Sequence, residues 1–216
     1  MPILPFHALT PAQLDQALAI YRDAFEAPWE WPVEKVAQLA DRTIPPSPWQ
    51  SAALLDGDAT VAIAIAKYFT ETNLWYLLYL AVDAARRGQG EGSTLLAHML
   101  ALGEEQARAA GRPGCRGMLL EVETPDGPPE ATRGLRSRRV AFYRRFAALD
   151  TGVAVPRPRW IPPEQPDWNI MFIPGAAWAG VLDAAVRREL VRALIVEGYG
   201  APPDADWLLG ALAQIV

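Results

Sequence analysis

Cysteine and histidine are nearly absent from this chain: Cys115 is the only cysteine, and His7 and His98 are the only histidines. A lone thiol excludes an internal disulfide, and these three residues give no cluster at zinc-ligand spacing, which argues against a metal centre. Lysine is almost as scarce, with Lys35 and Lys67 the only two in 216 residues. At a net charge of −5, and without a basic stripe interleaved with aromatics, the sequence lacks a surface that would track a phosphate backbone. Nucleic acid is therefore not an expected partner. No stretch reaches the roughly 20 apolar residues that span a bilayer, and the opening MPILPFHALT has neither the basic flank nor the cleavage site of a signal peptide. The expectation is a cytoplasmic protein without membrane contact. Its mild acidity suits a cationic acceptor, but it serves solubility equally well.

What the chain does have is apolar residues, 51% against 21% charged, enough for one core with an appended element. Thr10-Pro11-Ala12-Gln13 has the form of a capping box with proline at the first helical position, and Leu14, Leu18, Tyr21 and Phe25 continue as a stripe. Pro28 and Pro32 bracket a turn containing Trp29 and Trp31. A short helix over Val33 to Ala40 comes next, then a Pro-rich break from Ile44 to Pro48. Trp49 to Leu55 and Thr60 to Phe69 flank Asp56-Gly57-Asp58 and predict an antiparallel hairpin. Leu74 to Val82 is a continuous apolar run and predicts the central strand.

Further along, Ser93 to Ala110 predicts a helix stopped by Gly111-Arg112-Pro113-Gly114, and Met118 to Glu123 a strand. A second, basic amphipathic helix is expected over Ser137 to Leu149. Strands are expected at Thr151 to Val155 and Asn169 to Ile173, around a proline-rich loop from Val155 to Pro166. Two tail helices are expected at Ala176 to Val196 and Ala205 to Val216.

Three alternate glycines stand between the central strand and the long helix, in Val82-Asp83-Ala84-Ala85-Arg86-Arg87-Gly88-Gln89-Gly90-Glu91-Gly92-Ser93. Glycine admits turn conformations closed to other residues, and free amides at a helix start point outward with the positive end of the dipole. Such a nest suits a pyrophosphate. No Gly-Lys-Ser/Thr ending is present, which removes the nucleotide-triphosphatase loop, and the turn comes too late in the chain for a first strand-helix dinucleotide unit.

This stretch resembles the Arg/Gln-x-x-Gly-x-Gly/Ala motif of the GNAT acyltransferase superfamily, with Arg87, Gly90 and Gly92 in the matching positions. The element order is similar to that family's over roughly Ile3 to Ile173. The resemblance implies an α/β (α+β) fold with a bent, mostly antiparallel mixed sheet flanked by helices. Residues 1–175 would form the acyltransferase domain and residues 176–216 a helical extension packed on it.

The resemblance also implies acetyl-CoA as cosubstrate. Backbone groups of Leu80 and Val82 would meet its pantetheine arm, and Arg87 with the amides of Gly88, Gln89, Gly90, Glu91, Gly92 and Ser93 would hold its pyrophosphate. Tyr143 resembles the family tyrosine that protonates the departing CoA thiolate, while Arg136 and Ala147-Ala148 stand where the family often has Asn and Gly-Phe. Arg138, Arg139 and Arg144 could reach cofactor phosphates, or be simply solvated.

Acylation of an amine further needs a proton acceptor, because a protonated amine has no lone pair. Glu121 and Glu123 alternate on one strand and so share a face, where mutual repulsion would favour a base. Pairing of these acids with the basic helix is the alternative, and Glu71 is a further candidate. Cys115 and His98 lack a recognisable partner and are read as structural. Trp29, Trp31, Trp49, Trp160 and Trp168 either line an acceptor cleft or pack the core.

The expected activity is direct acetyl transfer to a primary amine on a small molecule or peptide. The rival is a non-catalytic acyl-CoA-binding regulator or interaction protein, with the tail as a surface for a partner or a homodimer.

Overall fold

Thr10 opens the first helix as its sequence requires: its hydroxyl accepts from the Gln13 amide, the Gln13 side chain accepts from the Thr10 amide, and Pro11 takes the first helical position. The structure, a computed structural model, describes residues 1–25, 30–41, 49–126, 130–155 and 168–215. The turn at Pro28 and Trp29, the break at Ile44 to Pro48, Trp160 and the proline-rich loop beyond Val155 lie outside the described residues.

In chain order the elements are β1 (Ile3–Leu4), α1 (Pro11–Ala24), α2 (Val33–Ala37), β2 (Trp49–Asp56), β3 (Ala59–Phe69), β4 (Leu74–Val82), α3 (Glu91–Ala109), β5 (Gly117–Glu123), α4 (Arg133–Arg144), β6 (Leu149–Val155), β7 (Trp168–Pro174), α5 (Ala184–Ala193) and α6 (Asp206–Leu212), with short 3-10 or π turns between some of them. The strands form one seven-stranded mixed sheet in the order β1-β2-β3-β4-β5-β7-β6. The pairs β1·β2, β2·β3, β5·β7 and β6·β7 are antiparallel, and helices flank the sheet, as the expected fold class requires. No helix among the described residues is long and apolar enough to cross a membrane.

The chain divides into two compact units, Met1–Tyr68 with Leu77–Leu102, and Phe69–Tyr76 with Gly103–Val216. In the first, Ile63 and Ile65 of β3 alternate with the small Ala62, Ala64 and Ala66, and the isoleucines enter a core with Leu18, Tyr21 and Val36. Strand alternation therefore sorts branched and small side chains onto opposite faces, and both faces are buried.

In the second unit, β5 pairs with β7 in continuous register from Gly117↔Pro174 to Glu123↔Trp168. The tail is joined to this unit by specific bonds. Arg116 forms a bidentate pair with Glu189 of α5, Arg188 donates to the Ile215 carbonyl, and Gln214 exchanges two hydrogen bonds with Ala154.

Three helices depart from expectation at their ends, α6 by running only from Asp206 to Leu212. Helix α4 runs from Arg133 to Arg144 rather than from Ser137 to Leu149, because Ala147 turns left-handed at φ +59° and the Ala148 amide bonds back to the Tyr143 carbonyl. The first tail helix begins at Ala184, not Ala176. Asp183 caps it by accepting from the Val186 amide, while the amides of Ala176 and Ala177 are drawn to Glu104 and the Cys115 carbonyl.

Candidate active site

Between β4 and α3 the chain makes one short 3-10 turn, Ala84–Arg86, whose N-terminal Asp83 accepts from the Ala85 amide. Gly88 and Gly90 come next at φ +84° and +104°. A Cβ placed on either would meet nothing within 4 Å, so it is the backbone conformation and not crowding that demands glycine there. The 19-residue α3 starts at Glu91. Among the described residues, no backbone or side-chain acceptor takes a hydrogen bond from the amides of Gly88, Gln89, Gly90, Glu91, Gly92 or Ser93; the first internal bond is Thr94 to the Gly90 carbonyl.

A row of free donors at the start of a long helix, with open space above two glycines, fits a diphosphate. Arg87 is exposed beside it, its Nε donating to the Val82 carbonyl at 3.3 Å. That bond occupies one of the polar groups expected to meet a pantetheine chain. Leu80 and Val82 themselves are half-buried on β4.

The Glu91 side chain turns inward and is 2% exposed. Its Oε1 accepts from Arg86, which also pairs with Asp56 of the hairpin turn at 2.8 Å, and its Oε2 has no hydrogen-bond partner among the described residues. The motif alone implies a role only for the Glu91 amide. An acid amid the motif's glycines is the available signal of a buried ion pair, with Arg86 five residues earlier to answer it.

The predicted carboxylates lie on β5 in the second unit. They do not hold each other. Glu121 accepts from two phenols, Tyr76 at 2.6 Å to Oε2 and Tyr199 at 2.7 Å to Oε1, while Glu123 pairs with Arg139 of α4. The pairing of an acid with the basic helix thus holds for Glu123.

Tyr143 is half-buried on α4, its ring against Phe142 at 5.0 Å. Burial pushes its phenol up to about 12, with the Arg139 charge pulling the other way. Its hydroxyl has no hydrogen-bond partner among the described residues. Arg136, where the family often has Asn, is fully buried, whereas Arg138 and Arg144 are exposed.

Of the tryptophans, Trp31 and Trp49 meet edge to face at 4.8 Å, and Trp31 also approaches Tyr79. Lys35 lies over the Trp31 ring at 3.8 Å and Lys67 over Trp49 at 5.7 Å, so both lysines of the chain sit on indole faces. Tyr79 donates to Glu30 and accepts from the Trp31 amide, while Tyr21 donates to the Trp31 carbonyl. Trp168 is on β7.

Cys115 is buried, and burial raises its thiol to about 11, as a structural cysteine requires. His98 is half-buried within α3. Among the described residues no group of His, Cys, Asp and Glu could hold a metal ion.

Comparison with known proteins bears on this geometry. The family model described as the acetyltransferase (GNAT) family matches residues 14–129, more than half of the chain. No curated protein matches it in sequence. Among solved structures it is similar to a putative GNAT-family acetyltransferase from Bacteroides thetaiotaomicron, at 18% identity and TM-score 0.56 over 94% of this chain and 100% of that one. It is also similar to a ribosomal-protein-alanine N-acetyltransferase from Brucella melitensis (20%, TM-score 0.57, over 80% and 98%). A third is Arabidopsis thaliana NAA60 in complex with acetyl-CoA (17%, TM-score 0.54, over 79% and 96%). With the matched segment running from α1 through the glycine turn to the end of β5, the chain belongs to the GNAT acetyltransferase family, whose acetyl donor is acetyl-CoA.

Proposed function

We propose that this protein transfers the acetyl group of acetyl-CoA directly to a primary amine of a small molecule or peptide. The observation that carries the reading is the run of six successive amides, Gly88 to Ser93, left without acceptors among the described residues where the family motif stands. Those amides and Arg87 would hold the pyrophosphate, with backbone of Leu80 and Val82 toward the pantetheine arm. When bound, acetyl-CoA supplies the thioester carbonyl that the amine attacks.

Glu121 accepts the amine proton, directly or through a water. It is preferred to Glu123 because Arg139 pairs with Glu123, while phenols donate to Glu121 among the described residues.

Tyr143 serves the leaving sulfur. A phenol near 12 is a weaker acid than a thiol near 8.5, so complete transfer of its proton would be uphill by about 5 kcal/mol. Its contribution is therefore a hydrogen bond donated to the developing thiolate, worth about 1.5–3 kcal/mol, or about 10–150-fold in rate. The reading places the protein in the cytoplasm.

The test is release of free thiol from acetyl-CoA with three acceptors: spermidine, an aminoglycoside with a 6'-amine, and a peptide beginning with alanine. The last is chosen for the named activity of the Brucella melitensis neighbour. Turnover of at least one is expected, with Glu121→Gln reducing kcat by about 100-fold or more and Tyr143→Phe by the factor above. Wild-type rates in both variants would retire the two assignments, and failure to bind acetyl-CoA would retire the reading.

A further inference from the structure

The C-terminal segment supplies one of the donors to Glu121, the Tyr199 hydroxyl. Helix α5 passes into a π-helical turn, Leu194–Gly198; Tyr199 keeps helical backbone angles, and the chain leaves helical geometry at Gly200, φ +69°. A π turn inserts one residue and swings the succeeding residues by about 100° around the axis. Gly198 packs closely here, since a Cβ there would lie 3.2 Å from the Phe69 ring, a tight contact. Tyr199 then stands edge-on to Trp207 of α6 at 5.4 Å and extends its hydroxyl to Glu121.

Tyr76 takes the second oxygen from β4, and Ile170 of β7 is the register partner of Glu121. Glu197, two residues before Tyr199, accepts from Thr72, and Glu123, two residues along β5, holds Arg139.

We propose that Tyr199 is a positioning residue for acetyl transfer, fixing the Glu121 carboxylate together with Tyr76, so that residues 176–216 complete the acceptor side of the site. The proposal rests on Glu121 being the proton acceptor. A carboxylate on a strand is free to rotate about its terminal torsion. Two phenols on separate oxygens restrict that torsion. Because both donors favour the ionised carboxylate, removing one makes proton loss from Glu121 harder.

The test uses the full chain labelled with 13C at the glutamate carboxyls. Glu121→Gln assigns the Glu121 signal, and Tyr199→Phe keeps the ring on Trp207 while deleting the hydroxyl. The Glu121 titration midpoint is expected to rise by about one pH unit in Tyr199→Phe, the size of one hydrogen bond to a charged group. With acetyl-CoA and the alanine peptide, the lower limb of kcat/KM should move up by the same amount while the calorimetric Kd for acetyl-CoA is unchanged. A Glu121 midpoint within about 0.2 unit of wild type would overturn the proposal. The two readings fail separately: full activity in Glu121→Gln removes Glu121 as base, whereas an inactive Glu121→Gln beside a wild-type-like Tyr199→Phe removes only the role of Tyr199.

Discussion

Replacing Gly88 by alanine separates backbone strain from ligand binding. Gly88 sits at φ +84° with nothing within 4 Å of the position its Cβ would take, and Gly111, beyond the other end of α3, sits at φ +76° with equally open surroundings. Each Gly→Ala change therefore introduces the same left-handed strain, about 1–2 kcal/mol, without a clash. Both variants should lose comparable stability in urea or thermal melts. Only Gly88→Ala should lose affinity for CoA, because the relaxed turn misdirects amides that would each make a charge-assisted hydrogen bond worth about 1.5–3 kcal/mol. One such bond corresponds to about 10–150-fold in Kd, readable by calorimetry. Gly90→Asp, which adds a like charge to the nest, should abolish binding. Equal Kd values for wild type, Gly88→Ala and Gly111→Ala would refute the reasoning, since the strain would then have no bearing on the ligand.

Further predictions concern the second unit. Ala147 holds φ +59°, a conformation that costs alanine more than glycine, so Ala147→Gly should stabilise by about 0.5–1 kcal/mol and raise Tm by about 1–4 °C. A melt no higher than wild type would count against the strain. Cys115, buried with its thiol raised to about 11, should react with a disulfide reagent only after unfolding, which leaves thiol-release assays free of background from the protein; rapid labelling of the native chain would contradict its burial. The folded-state value of Tyr143, about 12, lies above its ordinary 10.0, so burial of the neutral phenol is fully tolerated below pH 10 and that stability is lost as pH rises through about 12. Tyr143→Phe should accordingly lose less stability than wild type over that range, and identical alkaline profiles would refute the shift.

The parts of the fold that were legible are those whose determinants lie close together in the chain. Thr10 and Gln13 cap α1 as their spacing implies, Asp56-Gly57-Asp58 lies at the hairpin turn, and β4 occupies Leu74–Val82 as its apolar run predicts. The glycine turn was legible for the same reason. The end of α4 was not, because the left-handed residue that stops it is an alanine and nothing in its side chain announces the turn. Residues 176–183 have helical composition, but hydrogen bonds to Glu104 and Cys115, 72 and 62 positions away, hold their first amides elsewhere, and the local cap at Asp183 decides where α5 begins. Within the candidate site, strand alternation points to Glu121 and Glu123. It does not reveal their partners: Tyr76 and Tyr199 stand 45 and 78 residues from Glu121, separations that no periodicity reports.

The most direct measurement of the central claim is a crystal structure of this protein grown with coenzyme A. The account predicts the diphosphate on the amides of residues 88–93, with Arg87 beside it and the chain of the ligand leading toward Leu80 and Val82. A complex in which those amides are satisfied by the protein itself, and the diphosphate is bound elsewhere, would contradict it.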